Sequence, residues 1–277
     1  MAEPARAAGM RWLRVSPSII TGPRPRGDAD FDALVALGVR AIVSVEGAGP
    51  DAARAAARGM RCVHLPTRFG GLGAHRAAEI ARAVRELRGD GVVYIYDRRG
   101  SDRGPAAAAS AALLLRELTV EDGLRVLEVA GTSPNYAGLW SSVREAGTLP
   151  PAVVDRASAA FPAAAPMPAF VETMVHIDEV VERLEAARAA RWRSSTTQTD
   201  PASAAEAARL ADLLRGLRQN ERARKEGGEF VFFLLASAER ARELEHAIAS
   251  GSSAERLDGA IAALATSCRD CHVRYRN

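Results

Sequence analysis

The chain changes its secondary-structure pattern near residue 150, and this change constrains its fold most. Before that point, short β-rich runs alternate with alanine- and arginine-rich helical segments, and the runs 40–45, 61–65 and 91–96 predict buried strands. Such alternation predicts a mostly parallel sheet covered by helices on both faces. We therefore expect residues 1–150 to form an α/β domain, which a chain of 277 residues can follow with a second domain.

A proline- and alanine-rich stretch follows, and beyond it the strands vanish. Residues 151–167 have no periodic apolar pattern and predict a linker. Four amphipathic segments come next, and the first of them spaces Phe170, Met174 and Ile177 along one helical stripe. Four such segments predict an all-α, antiparallel four-helix bundle over residues 168–277.

The fourth segment ends in a chemically specific motif, Cys268-Arg-Asp-Cys271-His272. In Cys-x-x-Cys-His, two thiols attach haem covalently and the imidazole becomes an axial iron ligand. The alternatives are a surface pair of cysteines and half of a zinc site, but a closed zinc site needs four ligands, and no second Cys/His pair lies at matching spacing. The remaining cysteine, Cys62, falls on a predicted buried strand, where an inert thiol is expected. The motif predicts one covalent haem c per chain.

The motif continues as Val-Arg-Tyr275-Arg276, close to the end of the sequence. This tail resembles that of cytochrome c′ and its low-spin relatives, the class II cytochromes c, and the resemblance covers roughly residues 168–277. It implies that Cys268 and Cys271 hold the haem, that His272 is the proximal iron ligand, and that Arg276 lies near the proximal face.

The sixth iron position stays open at this stage. The same resemblance implies either an apolar residue of the first helix, which leaves iron free for NO or CO, or a methionine ligand, which suits electron transfer. Met174 lies on the inner stripe and is the candidate sixth ligand, although a methionine there is also ordinary core filling. His176, two residues on, should face away from that stripe and be exposed.

A second motif lies in the first half, where the predicted strand 91–96 runs into Asp97-Arg98-Arg99-Gly-Ser-Asp-Arg103 and a helix. Arg103 follows Asp97 by six positions. This segment resembles the signature loop, His-Cys-x5-Arg, of cysteine-dependent tyrosine and dual-specificity phosphatases, over roughly residues 12–146. The resemblance implies a phosphate site made of backbone N–H groups and Arg103.

The departures from that pattern predict a pseudophosphatase, for which the sequence identifies no catalytic residue. Asp97 replaces the nucleophilic cysteine, Tyr96 replaces the histidine, and the segment 65–73 has no general acid. A carboxylate there should repel phosphate and pair with Arg103. An aspartyl nucleophile would need clustered carboxylates for magnesium, and only Asp102 is near in sequence.

The composition restricts the kinds of partner that the protein is expected to bind. The net charge is only +3, and the arginines are spread evenly without an aromatic-rich basic patch, which argues against nucleic-acid binding. No apolar run is long enough for a membrane span. Arg98, Arg99 and Arg103 nevertheless make their loop positive and suited to a phosphate or another anion. A homodimer stays open.

These observations predict a haem protein for electron transfer or NO/CO binding, with a redox protein or the gas as partner and the degenerate phosphatase-like domain as docking or anion-binding module. The alternative is a phosphatase regulated by the redox or ligand state of the haem domain. Covalent haem predicts a periplasmic or exported protein, although the N-terminal residues carry no secretory signal.

Overall fold

The computed structural model of the protein describes residues 4–7, 9–47, 49–134, 136–165, 169–192 and 201–276. The chain divides into two compact units, Met1–Pro166 and Met167–Asn277. The predicted junction between linker and second domain, at 167 and 168, lies outside the described residues. Each unit is described by itself below.

The first unit is built on a six-stranded mixed sheet with the order β1-β2-β3-β6-β4-β5. The strands are β1 (Pro4–Ala7), β2 (Met10–Arg14), β3 (Ile19–Pro23), β4 (Val39–Ser44), β5 (Arg61–His64) and β6 (Val92–Asp97). Strands β3, β6, β4 and β5 are parallel, whereas β1 and β2 add an antiparallel edge.

Helices cover both faces of this sheet. They are α1 (Asp28–Ala36), α2 (Ala52–Ala56), α3 (Gly73–Leu87), α4 (Arg103–Leu114), α5 (Val120–Ala130), α6 (Ala137–Thr148) and α7 (Ala152–Arg156). The central strand β6 sends Val93 and Ile95 into the core under α3–α6, and Tyr94 and Tyr96 into the core under α1 and α2. This alternation is the period-two pattern of a strand buried on both faces.

Part of the predicted linker is structured and belongs to the first unit. Helix α7 lies within it and packs against α3. Further on, the Pro162 carbonyl accepts a hydrogen bond from the His64 N–H at 2.7 Å. Proline and alanine predicted a linker because they carry no amphipathic pattern, yet their backbone groups pair with the end of β5.

The described residues of the second unit form helices and no strand. The helices are α8 (Ala169–Ala189), α9 (Pro201–Leu217), α10 (Glu221–Glu226), α11 (Gly228–Ala249) and α12 (Ala254–Tyr275). Helix α9 packs against α8 and α11, and α11 packs against α12 around one apolar core. The antiparallel four-helix bundle stays a prediction. Among the described helices of either unit, none is long and apolar enough to cross a membrane.

Candidate functional site

The loop between β6 and α4 surrounds the Asp97 carboxylate with backbone N–H groups. Asp97 ends β6 and is only 3% exposed. Its Oδ1 accepts hydrogen bonds from the N–H groups of Arg99 and Gly100, at 2.9 and 2.7 Å. Its Oδ2 accepts from those of Asp102 and Gly104, at 3.1 and 2.7 Å. We call the four N–H groups of residues 99, 100, 102 and 104 the amide cradle.

Two glycines let the loop take this shape. Gly100 has φ +71°, and a Cβ there would lie 2.4 Å from the backbone of Gly22 and Pro23 in β3. A Cβ at Gly104 would lie 2.9 Å from the Asp97 nitrogen. Because backbone atoms cannot yield to such contacts, the loop needs glycine at both positions.

The segment that follows α5 stabilises the loop between β6 and α4 through hydrogen bonds. Thr132 Oγ1 donates to the Ser101 carbonyl at 2.6 Å, and the Ser133 N–H donates to Asp102 Oδ1 at 3.2 Å. Ser101 Oγ donates to Asp102 Oδ2 at 3.0 Å. Asp102 therefore ties the loop to its neighbour. Among the described residues, no group of three or more histidines, cysteines and acids is placed to hold a metal ion.

Arg103 is oriented by the segment between β5 and α3. Its Nη1 donates to the Thr67 carbonyl at 3.4 Å, and its guanidinium lies 4.2 Å from the centre of the Phe69 ring. This stacking favours one orientation of a flexible side chain. The sequence predicted Asp97 as the partner of Arg103, but it did not reveal that backbone N–H groups bind both oxygens of that carboxylate.

A buried acid that the sequence analysis missed lies beside this loop. Glu46 is 2% exposed, and Arg24 pairs with both of its oxygens at 2.6 and 2.9 Å. Burial raises the pKa of Glu46, whereas the charges of Arg24 and Arg103 oppose that rise and the charge of Asp97 adds to it. Its short glycine-rich surroundings, 46–49, match no spacing motif, so sequence alone carried no signal for it.

His64 connects this region with the segment that precedes residue 166. Its Nδ1 accepts from the Ala165 N–H at 3.0 Å, so its Nε2 must carry the proton shared with the Glu46 carbonyl at 3.0 Å. Burial lowers the pKa of His64. The ring is therefore neutral at pH 7, with one nitrogen accepting and the other donating.

Acidification is expected to destabilise the first unit through His64. Because its folded-state pKa is lowered, the unfolded chain binds the proton first, so the free energy of unfolding falls as the pH drops below about 6.5. For one proton the slope is at most about 1.4 kcal/mol per pH unit. Calorimetric unfolding between pH 7.5 and 5.0 should show a smaller decrease in His64→Gln than in the wild type. His75→Gln, a change at an exposed histidine of α3, is the control and should keep the wild-type decrease. Equal decreases in all three proteins would contradict the role of His64 in the pH dependence of unfolding.

The motif Cys268–His272 lies on α12, the last helix described in the second unit. Cys271 is buried, whereas Cys268 and His272 are half-buried. Burial raises the pKa of the Cys271 thiol to about 11 and also raises that of Cys268. Burial, with the Arg276 charge as a smaller cause, lowers the pKa of His272 to about 4. At pH 7 both thiols are therefore protonated and the imidazole is neutral, which is the form of histidine that binds iron.

The candidate sixth ligand belongs to the same core as the motif. Met174 on α8 is half-buried and packs against the core cluster that also receives Cys268 and Tyr275. His176 is exposed, as the helical spacing predicts. Cys268, Cys271 and Met174 share this core, and His272 follows Cys271 on α12. Two thiols for covalent attachment and one imidazole for iron fit haem c, and both roles of Met174 stay open.

Comparison with known proteins finds similarity for the first half of the chain. No family model matches the sequence, and no curated protein matches it. Among solved structures, P. aeruginosa TpbA is 18% identical, with 52% of this chain and 89% of TpbA covered and a TM-score of 0.45. A TpbA structure in complex with pTyr is 19% identical over 52% of this chain and 88% of that one, also with a TM-score of 0.45. Human DUSP28 is 23% identical over 48% of this chain and 94% of its own, with a TM-score of 0.39.

These neighbours are folds of the dual-specificity and tyrosine phosphatase type over about half of the chain. They give no support to an electron-transfer or gas-binding protein, so that expectation is wrong, and a redox protein or gas as partner stays unsupported. The comparisons give no support to a cytochrome c′ domain. Because the TM-scores lie below 0.5, the interpretation of the site depends on the loop itself.

Proposed function

We propose that the first unit recognises phosphate monoesters at the loop 97–104, as the phosphatase-type part of a protein controlled by haem. One observation carries this proposal: four backbone N–H groups converge on the two oxygens of a single anion, at 2.7–3.1 Å. A loop that places so many donors around one anion at the start of a helix is built for oxyanions.

The side chains around the loop support a doubly charged ligand. Arg103, held over Phe69, would add a guanidinium to the N–H donors, and guanidinium matches two phosphate oxygens at once. Arg98 is half-buried and Arg99 is exposed, so two further cations border the loop. The site therefore suits phosphate carried on a small alcohol or phenol, whose organic part remains outside the loop.

Arg103→Ala is expected to weaken the binding of inorganic phosphate and of phosphotyrosine by about tenfold or more, the usual effect of losing a charged hydrogen-bond donor. Isothermal titration on the full chain measures this. Arg99→Ala is the matched control, because it removes the same charge from an exposed position in the same loop. Equal losses in the two variants would mean that arginine charge, and not the loop site, binds the anion.

Hydrolysis distinguishes a phosphatase from a binding protein. Asp97 is the described side chain whose atoms lie inside the amide cradle, so turnover by the wild type would have to use its carboxylate. Turnover of p-nitrophenyl phosphate that disappears in both Asp97→Ala and Arg103→Ala would establish a phosphatase. Absence of turnover in either haem redox state would restrict the function to recognition.

For the second unit we propose an antiparallel four-helix bundle with haem c attached to Cys268 and Cys271, His272 as iron ligand, Met174 as candidate sixth ligand and Arg276 near the proximal face. Support comes from the motif and from the shared core of Cys268 and Met174. Bound haem would supply an iron centre with two oxidation states, through which the first unit is regulated. Covalent attachment also implies maturation outside the cytoplasm.

A further inference from the structure

The Asp97 carboxylate occupies the position to which the loop directs its donors. Each of its oxygens accepts two N–H groups, so all four members of the amide cradle are bound by a side chain of the same chain. A carboxylate and a phosphate present the same kind of oxygen pair to such donors. The cradle therefore already holds an anion before any ligand arrives.

This carboxylate is enclosed, and the floor of the loop carries a further donor. Asp97 is 3% exposed, and Gly100 closes against β3 on one side. Thr21, a fully buried residue of β3, has its hydroxyl 3.2 Å from the position that a Cβ on Gly104 would take. Among the described residues, that hydroxyl has no hydrogen-bond partner. A buried hydroxyl without a partner costs free energy and would gain from an oxyanion in the loop.

Contacts that do not involve Asp97 hold the loop in shape. The Arg98 carbonyl accepts from the Arg24 N–H at 3.5 Å, and the Ser101 carbonyl accepts from Thr132 Oγ1 at 2.6 Å. The Asp102 carboxylate is tied to Ser133. Removing the Asp97 carboxylate should therefore leave the four N–H groups in place and open them to another anion.

We propose that Asp97 is a built-in competitor of phosphate: its carboxylate fills the amide cradle and keeps the affinity of the first unit for phosphate monoesters low. The inference rests on the proposed function, since it concerns the same loop. A phosphate dianion must displace the carboxylate from four donors, or else bind above it against its negative charge. Either route weakens binding, whereas a ligand without charge would be little affected.

The test compares phosphate affinity in full-length variants. Asp97→Ala should bind inorganic phosphate about tenfold or more tightly than the wild type, because four donors become available to the ligand. Asp97→Ser is a second variant that keeps a small polar group in case the alanine variant folds poorly. Isothermal titration gives the affinity, and thermal unfolding with and without phosphate gives a second readout, in which phosphate should stabilise the variants more than the wild type.

Asp102→Asn is the matched control. It removes the same charge from the same loop, keeps an oxygen that can accept from the Ser133 N–H, and leaves the amide cradle filled by Asp97. A small gain in this variant beside a large gain in Asp97→Ala supports the competitor. An equal gain in both would assign the effect to general electrostatics and overturn the inference.

The remaining outcomes separate the inference from the proposed function. Wild type that binds phosphate as tightly as Asp97→Ala and Asp97→Ser, with Arg103→Ala still weakening it, would overturn the competitor and leave phosphate recognition intact. Failure of every variant to bind phosphate, or binding that persists unchanged in Asp97→Ala/Arg103→Ala, would overturn phosphate recognition at this loop and the competitor with it.

Discussion

Asp97→Cys is expected to give the first unit phosphatase activity at least about 100-fold above that of the wild type, which corresponds to a barrier lower by about 2.7 kcal/mol. The thiol would stand at the end of β6, where four N–H groups and the start of α4 converge. Such surroundings stabilise a thiolate and lower the cysteine pKa to roughly 3.5–7.5. A thiolate is also a far better nucleophile than a carboxylate held by four hydrogen bonds.

The reaction of this variant with p-nitrophenyl phosphate needs no group that the site lacks. The thiolate introduced at position 97 would form the S–P bond while the P–O bond to the phenol breaks, and p-nitrophenolate leaves with the electron pair without needing a proton. Water then attacks phosphorus, releases inorganic phosphate and returns the thiolate, with one proton passing to solvent. Arg103 would stabilise the equatorial oxygens during both steps.

Two further variants are controls for this prediction. Asp97→Ser introduces a side chain of nearly the same size as cysteine, but with a hydroxyl in place of the thiolate. Its initial rate in the same assay should stay near that of the wild type. Asp97→Cys/Arg103→Ala should lose most of the gain, because the guanidinium no longer meets the phosphate. A folded Asp97→Cys protein no more active than Asp97→Ser would contradict the view that the loop retains phosphatase geometry.

Replacing Cys268 and Cys271 together by alanine is expected to abolish covalent haem completely. In a protein matured with the haem-attachment machinery, the wild type should carry one haem per chain, seen in the pyridine haemochrome spectrum and in the mass of the intact chain. Attachment requires two thioether bonds, and both thiols lie on α12, one turn apart and against the same core. The variant has no other cysteine pair to replace them.

Cys62→Ser is the matched control for the haem prediction. Cys62 lies on β5 and has no second cysteine three positions away, so it lacks the pair of thiols that attachment needs. This variant should keep the full haem content. Absence of covalent haem from a properly matured wild-type sample would contradict the cofactor assignment. If haem is present, a low-spin spectrum that becomes high-spin in Met174→Ala would identify the sixth ligand.

The strands show how much of the fold a local sequence pattern can predict. The runs 40–45, 61–65 and 91–96 correspond to β4, β5 and β6. The reason is clearest in β6, which is mostly apolar because both of its faces are buried. Strands β1, β2 and β3 were missed. β2 is short and pairs antiparallel near the edge, while β3 ends in Gly22 and Pro23, residues that alone suggest a turn.

Local spacing located some residues of the site and could not reveal others. The spacing of Asp97 and Arg103 located the loop, because a strand–loop–helix segment is local in sequence. Glu46, Thr21 and Thr132 come from three other segments, and no spacing rule connects them with residue 97. The strand order places Thr21 on β3 and Glu46 after β4 on either side of β6, and Thr132 comes from the segment that follows α5.

The sequence by itself determined where chemistry can occur: a loop with an aspartate in the place of a nucleophile, and a pair of thiols followed by histidine. These are statements about covalent spacing, which the chain carries whatever its fold. Only the tertiary structure decided what Asp97 does. It brought four N–H groups onto one buried carboxylate, since hydrogen bonds in a loop depend on backbone dihedral angles and on the neighbouring strands that fix them.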